Sequence, residues 1–245
     1  MNDRLRKNFI TDCVCIICGR SSPLPTSAGT CPFCNDPFAI FDIRYDMKAV
    51  AASMTREALA ARSLNHWRYH ELLPIAPDPA AFAWPVGFTP IVEAPRLAGW
   101  VGLSRLRCKD DSRNPTASFK DRASSVGVLH ALQQGARTIA CASTGNAASS
   151  LAGFAAMAGL PAVIFVPRRA PEPKVAQLLI FGAEVRRVRG TYAQAYDLCI
   201  AECAAHGWYN RNCAINPFLI EGKKTCGLEI AEQTATDLPE WVVVS

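Results

Sequence analysis

Lys120 occupies a position where a cation is electrostatically unfavourable, within the segment NPTASFKDRAS. Pro115 stops any helix that arrives from upstream, and Ser118 is a good N-cap for a helix that begins at Phe119 or Lys120. The positive end of the helix dipole disfavours a lysine in the first turn. Two interpretations follow: Lys120 is a solvated charge that Asp121 offsets, or its amine is more readily freed to attack a carbonyl.

The second candidate site is the tetrapeptide STGN, which comprises Ser143, Thr144, Gly145 and Asn146. It follows a short apolar run at 138–142 and precedes a helix of small residues. In parallel sheets, ligands bind beyond the carboxyl ends of the strands, where helix N-termini point. The N–H groups of STGN can therefore bind a carboxylate, and the alternative is a simple N-cap turn. With Lys120 at a second helix N-terminus, the pattern suggests a substrate that carries a carbonyl and a carboxylate.

Two C-x2-C pairs near the N-terminus have the spacing of a zinc site, and their members are Cys15, Cys18, Cys31 and Cys34. Four thiolates suit a tetrahedral structural zinc, which leaves no open position for catalysis. Cys13 is an alternative to Cys15, and four incidental buried cysteines are the simpler interpretation. Because this segment holds few basic or aromatic residues, a structural appendage is favoured over a nucleic-acid module.

Composition limits the classes of function. The chain has 245 residues, of which 50% are hydrophobic and 19% charged, so it can bury a substantial core. The net charge of +5 is mild and its lysines and arginines are scattered, which argues against a nucleic-acid partner. The N-terminus has no apolar signal core, and no run reaches the roughly 18 apolar residues of a membrane span. We therefore expect a cytoplasmic protein with reduced thiols.

Strands alternate with helices from Lys120 onward. Strands are predicted at 138–142, 162–166, 184–188 and 207–210. Helices are predicted from Lys120 and over 147–159, 171–181 and 193–205. Such alternation is typical of an α/β fold with a parallel sheet. Upstream, a helix is predicted at 47–61 and a strand at 103–108.

Several segments, taken in order, resemble the threonine synthase family of fold-type II pyridoxal-phosphate enzymes. They are HWRYHELLP, GFTPIVEAPRLA, NPTASFKDR, STGNAASSLAGFAA, VPRRAPEPKVAQLLIFGAEV and EGKKTCGLEIAEQ. The resemblance implies a tryptophan synthase β-like α/β fold, with parallel sheets and flanking helices. It also implies a zinc-ribbon segment at 1–46 and an enzyme core at 47–245, with a smaller α/β subdomain at about 120–212.

The resemblance also implies roles for the candidate residues. Lys120 would bind the aldehyde of pyridoxal phosphate and move protons at the substrate's α, β and γ carbons. Asn146 would hydrogen-bond the cofactor's ring hydroxyl, and Ser143, Thr144, Gly145 and Asn146 would receive the α-carboxylate of an amino-acid substrate. The implied reaction is the conversion of O-phosphohomoserine to threonine and phosphate by a lyase, and the family suggests a homodimer.

One departure from the family concerns the C-terminal end. The chain reaches WVVVS at 241–245, where a strand is expected, and no glycine cluster follows Gly190. In the family a glycine-rich loop after such a strand wraps the cofactor phosphate. We therefore expect that the C-terminal part of the larger domain is missing. A truncated, inactive product and a zinc-ribbon binding module remain alternatives.

A second departure concerns the substrate. The family segment that recognises the substrate phosphate reads CAINPFLIEG here, with Cys213 and Ala214 in place of a polar pair and Leu219 in place of an arginine. A leucine cannot make the bidentate contact of an arginine, although Arg211 or Lys223 is placed to compensate. A related β-eliminating or β-replacing enzyme that acts on another amino acid is therefore the alternative.

Overall fold

Strands form three separate sheets in the computed structural model, which describes residues 9–24, 29–34, 36, 39–78 and 80–244. The first sheet is antiparallel and has the order β2-β1-β3, with bounds Ile10–Cys15 (β1), Ser21–Ser22 (β2) and Phe41–Tyr45 (β3). No helix in the described part is long and apolar enough to cross a bilayer.

The N-terminal sheet rests on the C-terminal part of the chain. Cys13, Phe41 and Ile43 share an apolar cluster with Phe218. In addition, the Tyr45 hydroxyl donates a hydrogen bond to the Glu221 carboxylate. These contacts join segments that are far apart in the sequence, so folding of the N-terminal segment affects the helix that carries Phe218.

The predicted helix at 47–61 is two helices, α1 (Met47–Ser53) and α2 (Arg56–Ala60). The break arises because Thr55 caps α2, with its hydroxyl accepting a hydrogen bond from the Ala58 N–H at 3.2 Å. A 3-10 helix at His66–Leu72 follows and is mostly buried.

A two-stranded antiparallel sheet comes next, built from β4 (Ile91–Glu93) and β5 (Arg107–Lys109), with α3 (Pro95–Val101) between them. The predicted strand at 103–108 is wrong over 103–106. Gly102 ends α3 in the left-handed conformation with φ of 73°, and the chain turns there before it pairs with β4.

The third sheet is parallel and has the order β8-β7-β6-β9, which confirms the predicted α/β pattern. Its strands are β6 (Ile139–Ala142), β7 (Ala162–Pro167), β8 (Glu184–Val188) and β9 (Tyr209–Asn210). The remaining helices are α4 (Lys120–Gln133), α5 (Asn146–Met157), α6 (Glu172–Ile180), α7 (Tyr192–His206) and α8 (Phe218–Gln233).

Helices cover both faces of the parallel sheet. Ile139 and Cys141 of β6 join the core formed with α4, α5 and α6, whereas Ala140 and Ala142 pack toward α7. This division follows from the alternation of side chains along a strand. Since both faces of the central strands β6 and β7 are buried, ligands reach these strands at the edge where they end.

A buried ion-pair network fixes α4 against α8. Arg122 donates to Glu229 of α8 at 2.8 Å and to Asp111 at 2.7 Å, and Lys109 also pairs with Glu229 at 2.8 Å. The helices approach closely at Gly222, where an added Cβ would lie 2.0 Å from the Arg122 carbonyl oxygen. The network lies two residues from Lys120 and therefore holds the start of α4 in place.

The predicted strand at 241–244 is wrong. Residues 241–244 are in no strand, and Trp241 is 86% exposed. An apolar, β-branched run becomes a strand only when another strand pairs with its backbone, and the described residues provide none there.

Candidate active site

Lys120 is the first residue of α4, as predicted, and its backbone N–H donates to the Ser118 hydroxyl at 3.0 Å. Asp121 forms no ion pair with it, and that carboxylate accepts hydrogen bonds from the Thr116 backbone N–H, at 2.7 Å, and from the Thr116 hydroxyl. The Lys120 ammonium lies 5.4 Å from the Phe119 ring centre. No carboxylate pairs with Lys120 among the described residues.

The STGN segment lies where the sequence places it, between the end of β6 at Ala142 and the start of α5 at Asn146. The Ser143 hydroxyl accepts a hydrogen bond from the Gly145 N–H at 3.2 Å, and the Ser143 N–H donates to Phe165 of β7 at 3.2 Å. The Asn146 side chain is exposed. The segment therefore presents its hydroxyl groups and the α5 N-terminus at the carboxyl edge of the sheet.

A cavity of about 280 Å³ opens between the carboxyl ends of β6 and β9. The chain crosses from β6 outward to β8 and then returns to the other side of β6, so this is the switch point at which such sheets bind ligands. The cavity is lined by, among others, Cys141, Ser143, Tyr192, Tyr196, Arg211 and Cys213. Of the predicted site residues, only Ser143 lines it directly, and Lys120, Thr144, Gly145 and Asn146 do not.

Cations gather around Cys213 at this cavity. The Cys213 sulfur accepts from Arg211 Nη1 at 3.4 Å and from Lys223 Nζ at 3.7 Å. Arg211 also donates to the Ser124 hydroxyl at 2.9 Å. Burial raises the pKa of the Cys213 thiol, but Arg211, Lys223 and Lys120 outweigh it and hold the pKa below its ordinary value. Lys120 therefore contributes to the positive potential at Cys213.

Arg211 retains one unused donor. The residue is 1% exposed, and its Nε has no hydrogen-bond partner within the described structure. A buried charged donor without a partner is costly, so an anion in the cavity would relieve that cost. The site is therefore suited to an anionic ligand.

Asn212 fixes the wall of the cavity and was not predicted from the sequence. Its Oδ1 accepts from the Ala142 N–H at 3.0 Å, and its Nδ2 donates to Asn210 at 2.9 Å. Tyr192 of α7 donates to the Ala142 carbonyl at 3.1 Å. The signal that could have identified Asn212 is the polar segment NRN, which begins in the last predicted strand and continues beyond its carboxyl end.

Leu219 does not face the cavity as the family pattern implies. Its side chain is fully buried, and a Cβ added to Gly127 of α4 would lie 2.5 Å from Leu219 Cδ2. The side chain is thus part of the α4–α8 contact. Arg211 lines the cavity instead, and Lys223 contacts the Cys213 sulfur in its wall.

The four predicted ligand cysteines meet in space. The sulfur atoms of Cys15, Cys18, Cys31 and Cys34 all lie within 4.8 Å of one another. The Cys15–Cys34 and Cys18–Cys31 separations are 3.6 and 3.9 Å. A tetrahedral zinc bound at about 2.3 Å to each sulfur separates them by about 3.8 Å, so the cluster fits this ion.

Backbone donors support the charged form of one sulfur. The N–H groups of Cys18 and Ile17 donate to Cys15 at 3.5 and 3.4 Å, and they lower the pKa of that thiol to about 6. Cys13 lies outside the cluster, where burial raises the pKa of its thiol to about 12. Cys13 is therefore not the alternative ligand that the sequence allowed.

The chain is similar to threonine synthases. It is 38% identical over 231 residues to that of Methanosarcina acetivorans and 33% identical over 231 residues to that of Methanocaldococcus jannaschii. Each alignment covers 94% of this chain but 55% and 56%, respectively, of those proteins. The chain thus spans about half the length of the curated relatives that it matches.

Solved structures share the fold. Diaminopropionate ammonia lyase from Escherichia coli, in complex with D-serine, aligns with a TM-score of 0.57 and 18% identity, over 93% of this chain and 55% of that one. Maize serine racemase aligns with a TM-score of 0.55 and 24% identity, over 60% of this chain and 45% of that one. Residues 85–245, which carry the cavity and Lys120, match the family described as pyridoxal-phosphate dependent enzyme. The chain belongs to the pyridoxal-phosphate dependent enzyme family.

Proposed function

We propose that this chain is the part of a threonine synthase-like lyase that contains the cofactor-binding lysine. The complete enzyme converts O-phosphohomoserine to threonine and phosphate. The observation that carries the proposal is the placement of Arg211, Lys223 and Lys120 around Cys213, which lines the cavity at the switch point of the parallel sheet. A free amine suits a carbonyl cofactor, and two further cations suit a substrate with a phosphate group.

The residues at the starts of α4 and α5 fit pyridoxal phosphate. Lys120 has no carboxylate partner among the described residues, so its amine can hold the cofactor's aldehyde. The exposed Asn146 amide is the proposed donor to the ring hydroxyl, at the start of α5. When bound, the cofactor supplies the electron sink that makes removal of the substrate's α-proton feasible.

The protein's own groups bind, orient and move protons. The hydroxyls of Ser143 and Thr144 and the N–H groups of Gly145 and Asn146 would receive the α-carboxylate, because they lie at the positive end of α5. Lys120 would take and return protons at the substrate's carbon atoms. Lys223 and Arg211 would stabilise the departing phosphate by charge-assisted hydrogen bonds.

Lys223→Met tests the proposed phosphate contact. Loss of one hydrogen bond to a charged group costs about 1.5–3 kcal/mol, so kcat/KM for O-phosphohomoserine should fall by roughly tenfold to a hundredfold. The assay measures phosphate release by the polypeptide that the complete reading frame encodes. Lys174→Met, which removes an exposed lysine of α6, is the matched control and should leave kcat/KM unchanged.

A comparison of substrates distinguishes the alternative function, with loss of the amino acid as the readout, because serine and threonine release no phosphate. A β-eliminating or β-replacing enzyme would act on serine or threonine with higher kcat/KM than on O-phosphohomoserine. Cys213 and Ala214, which replace the family's polar pair, favour that alternative. Equal kcat/KM for wild type and Lys223→Met would contradict a phosphate contact by Lys223.

The proposal includes a structural zinc in a ribbon at 1–46 and places the incomplete enzyme core at 47–245. The geometry of the four sulfurs and the backbone donors to Cys15 support it. A cytoplasmic location, which the polar N-terminus predicts, and a homodimer, which the family resemblance implies, belong to the same proposal.

Zinc content tests the ribbon. Wild-type protein should contain one zinc per chain by metal analysis, and the double variant Cys31→Ser, Cys34→Ser should contain none, since two sulfurs cannot complete a closed tetrahedral site. Folding of this segment then lacks the zinc-binding free energy, on the order of 10 kcal/mol, that stabilises it in the wild type. Cys13→Ala is the control and should keep the ion. Stoichiometric zinc in the double variant would exclude the assignment.

A further inference from the structure

Cys213 combines access with a cationic environment. Its side chain is partly exposed and lines the cavity of about 280 Å³. Arg211 Nη1 and Lys223 Nζ lie 3.4 and 3.7 Å from its sulfur. Thiolates react when cations stabilise them and reagents can reach them. The surroundings of Cys213 meet both conditions.

Arg211 supplies a second, independent observation. Its side chain is 1% exposed, it lines the same cavity, and its Nε has no partner in the described structure. A donor left unused beside a sulfur is available to a negatively charged species that forms there. The site is therefore built to stabilise negative charge on or next to Cys213.

Other cysteines near this region lack the combination. Cys141 lines the same cavity, but burial raises the pKa of its thiol to about 12. Cys226 of α8 is partly exposed like Cys213, and burial likewise raises its pKa. The charges that face Cys226 have both signs, from Arg122 and Lys109 and from Asp111 and Glu229. Cys226 is thus a matched reference for Cys213.

We propose that Cys213 is a modification site, at which hydrogen peroxide oxidises the sulfur to a sulfenic acid. The thiolate sulfur attacks one peroxide oxygen, so that the S–O bond forms as the O–O bond breaks. The sulfur loses two electrons to the peroxide, and the departing hydroxide takes a proton to become water. Lys223 and Arg211 stabilise the thiolate and the departing hydroxide. The proposal does not rest on the cofactor chemistry above, because these groups meet in the chain without a ligand.

The test compares two cysteines of the same molecule. Wild-type protein is exposed to hydrogen peroxide near neutral pH, the sulfenic acid is trapped with dimedone, and labelling is followed by peptide mass spectrometry. Cys213 should be labelled at least about tenfold faster than Cys226, because cations favour its thiolate. Equal or slower labelling of Cys213 would overturn the proposal without bearing on the lyase function.

Variants of Lys223 separate charge from exposure. Lys223→Met should slow labelling of Cys213 severalfold, whereas Lys223→Arg should retain most of the rate, and neither should change labelling of Cys226. Circular dichroism establishes that both variants fold. An unchanged rate at Cys213 in Lys223→Met would show that the cations do not activate the thiol.

Discussion

Replacing Lys120 with alanine is expected to abolish covalent capture of pyridoxal phosphate by this chain. The wild-type protein, incubated with the cofactor and reduced with borohydride, should carry the adduct on Lys120, as read by peptide mapping. The reason is local, because Lys120 begins α4, where the helix dipole disfavours its charge, and no described carboxylate pairs with it. Alanine suits a first-turn position, so α4 should form in the variant.

Lys224 is the strongest competitor for the cofactor. Burial lowers the pKa of its ammonium, which makes the free amine more accessible than on a surface lysine. However, it pairs with Glu221 and lies 4.0 Å from the Tyr45 ring centre, at the contact with the N-terminal sheet rather than at the cavity. Lys224→Ala should therefore retain the adduct. An adduct that persists in Lys120→Ala and maps to Lys174, Lys223 or Lys224 would refute the assignment.

Local patterns predicted the parallel sheet well. The strand at 184–188 is observed with the predicted bounds, and the helix predicted at 193–205 is observed at Tyr192–His206. The central strands β6 and β7 are buried on both faces, so they are continuous apolar runs that stand out from the helices. The start of α4 at Lys120 was likewise predicted from Pro115 and Ser118, although Phe119 and not Ser118 is the N-cap.

Errors arose where a helix cap or a contact with a distant segment determines the structure. A cap at Thr55 divides the helix at 47–61, and the run at 241–244 lacks a partner strand among the described residues. The positive cavity was also beyond local patterns, because Arg211 follows β9 and Lys223 lies in α8, and the folded chain brings both to the Cys213 sulfur. Sequence spacing located single residues of the site, whereas tertiary packing determines which of them meet.

Leu219→Arg is expected to destabilise the protein rather than to improve its use of a phosphorylated substrate. The family pattern places an arginine at this position, which would favour turnover of O-phosphohomoserine. In this chain the Leu219 side chain fills the contact with Gly127, where an added Cβ would already lie 2.5 Å from its Cδ2. A guanidinium there is both too large and without an acceptor, so we expect a loss of more than about 3 kcal/mol in unfolding free energy.

Urea unfolding measures this loss, and two variants separate charge from shape. Leu219→Met conserves volume and should cost less than about 1.5 kcal/mol. Ile220→Arg places the same charge on the next residue, which is 41% exposed, and should change stability by no more than about 0.5 kcal/mol. Leu219→Arg could instead have the same unfolding free energy as Ile220→Arg and a raised kcat/KM for O-phosphohomoserine. That result would show that the arginine reaches the cavity. In that case α8 must be able to turn its buried face toward the substrate, and Arg211 and Lys223 would not be the principal phosphate contacts.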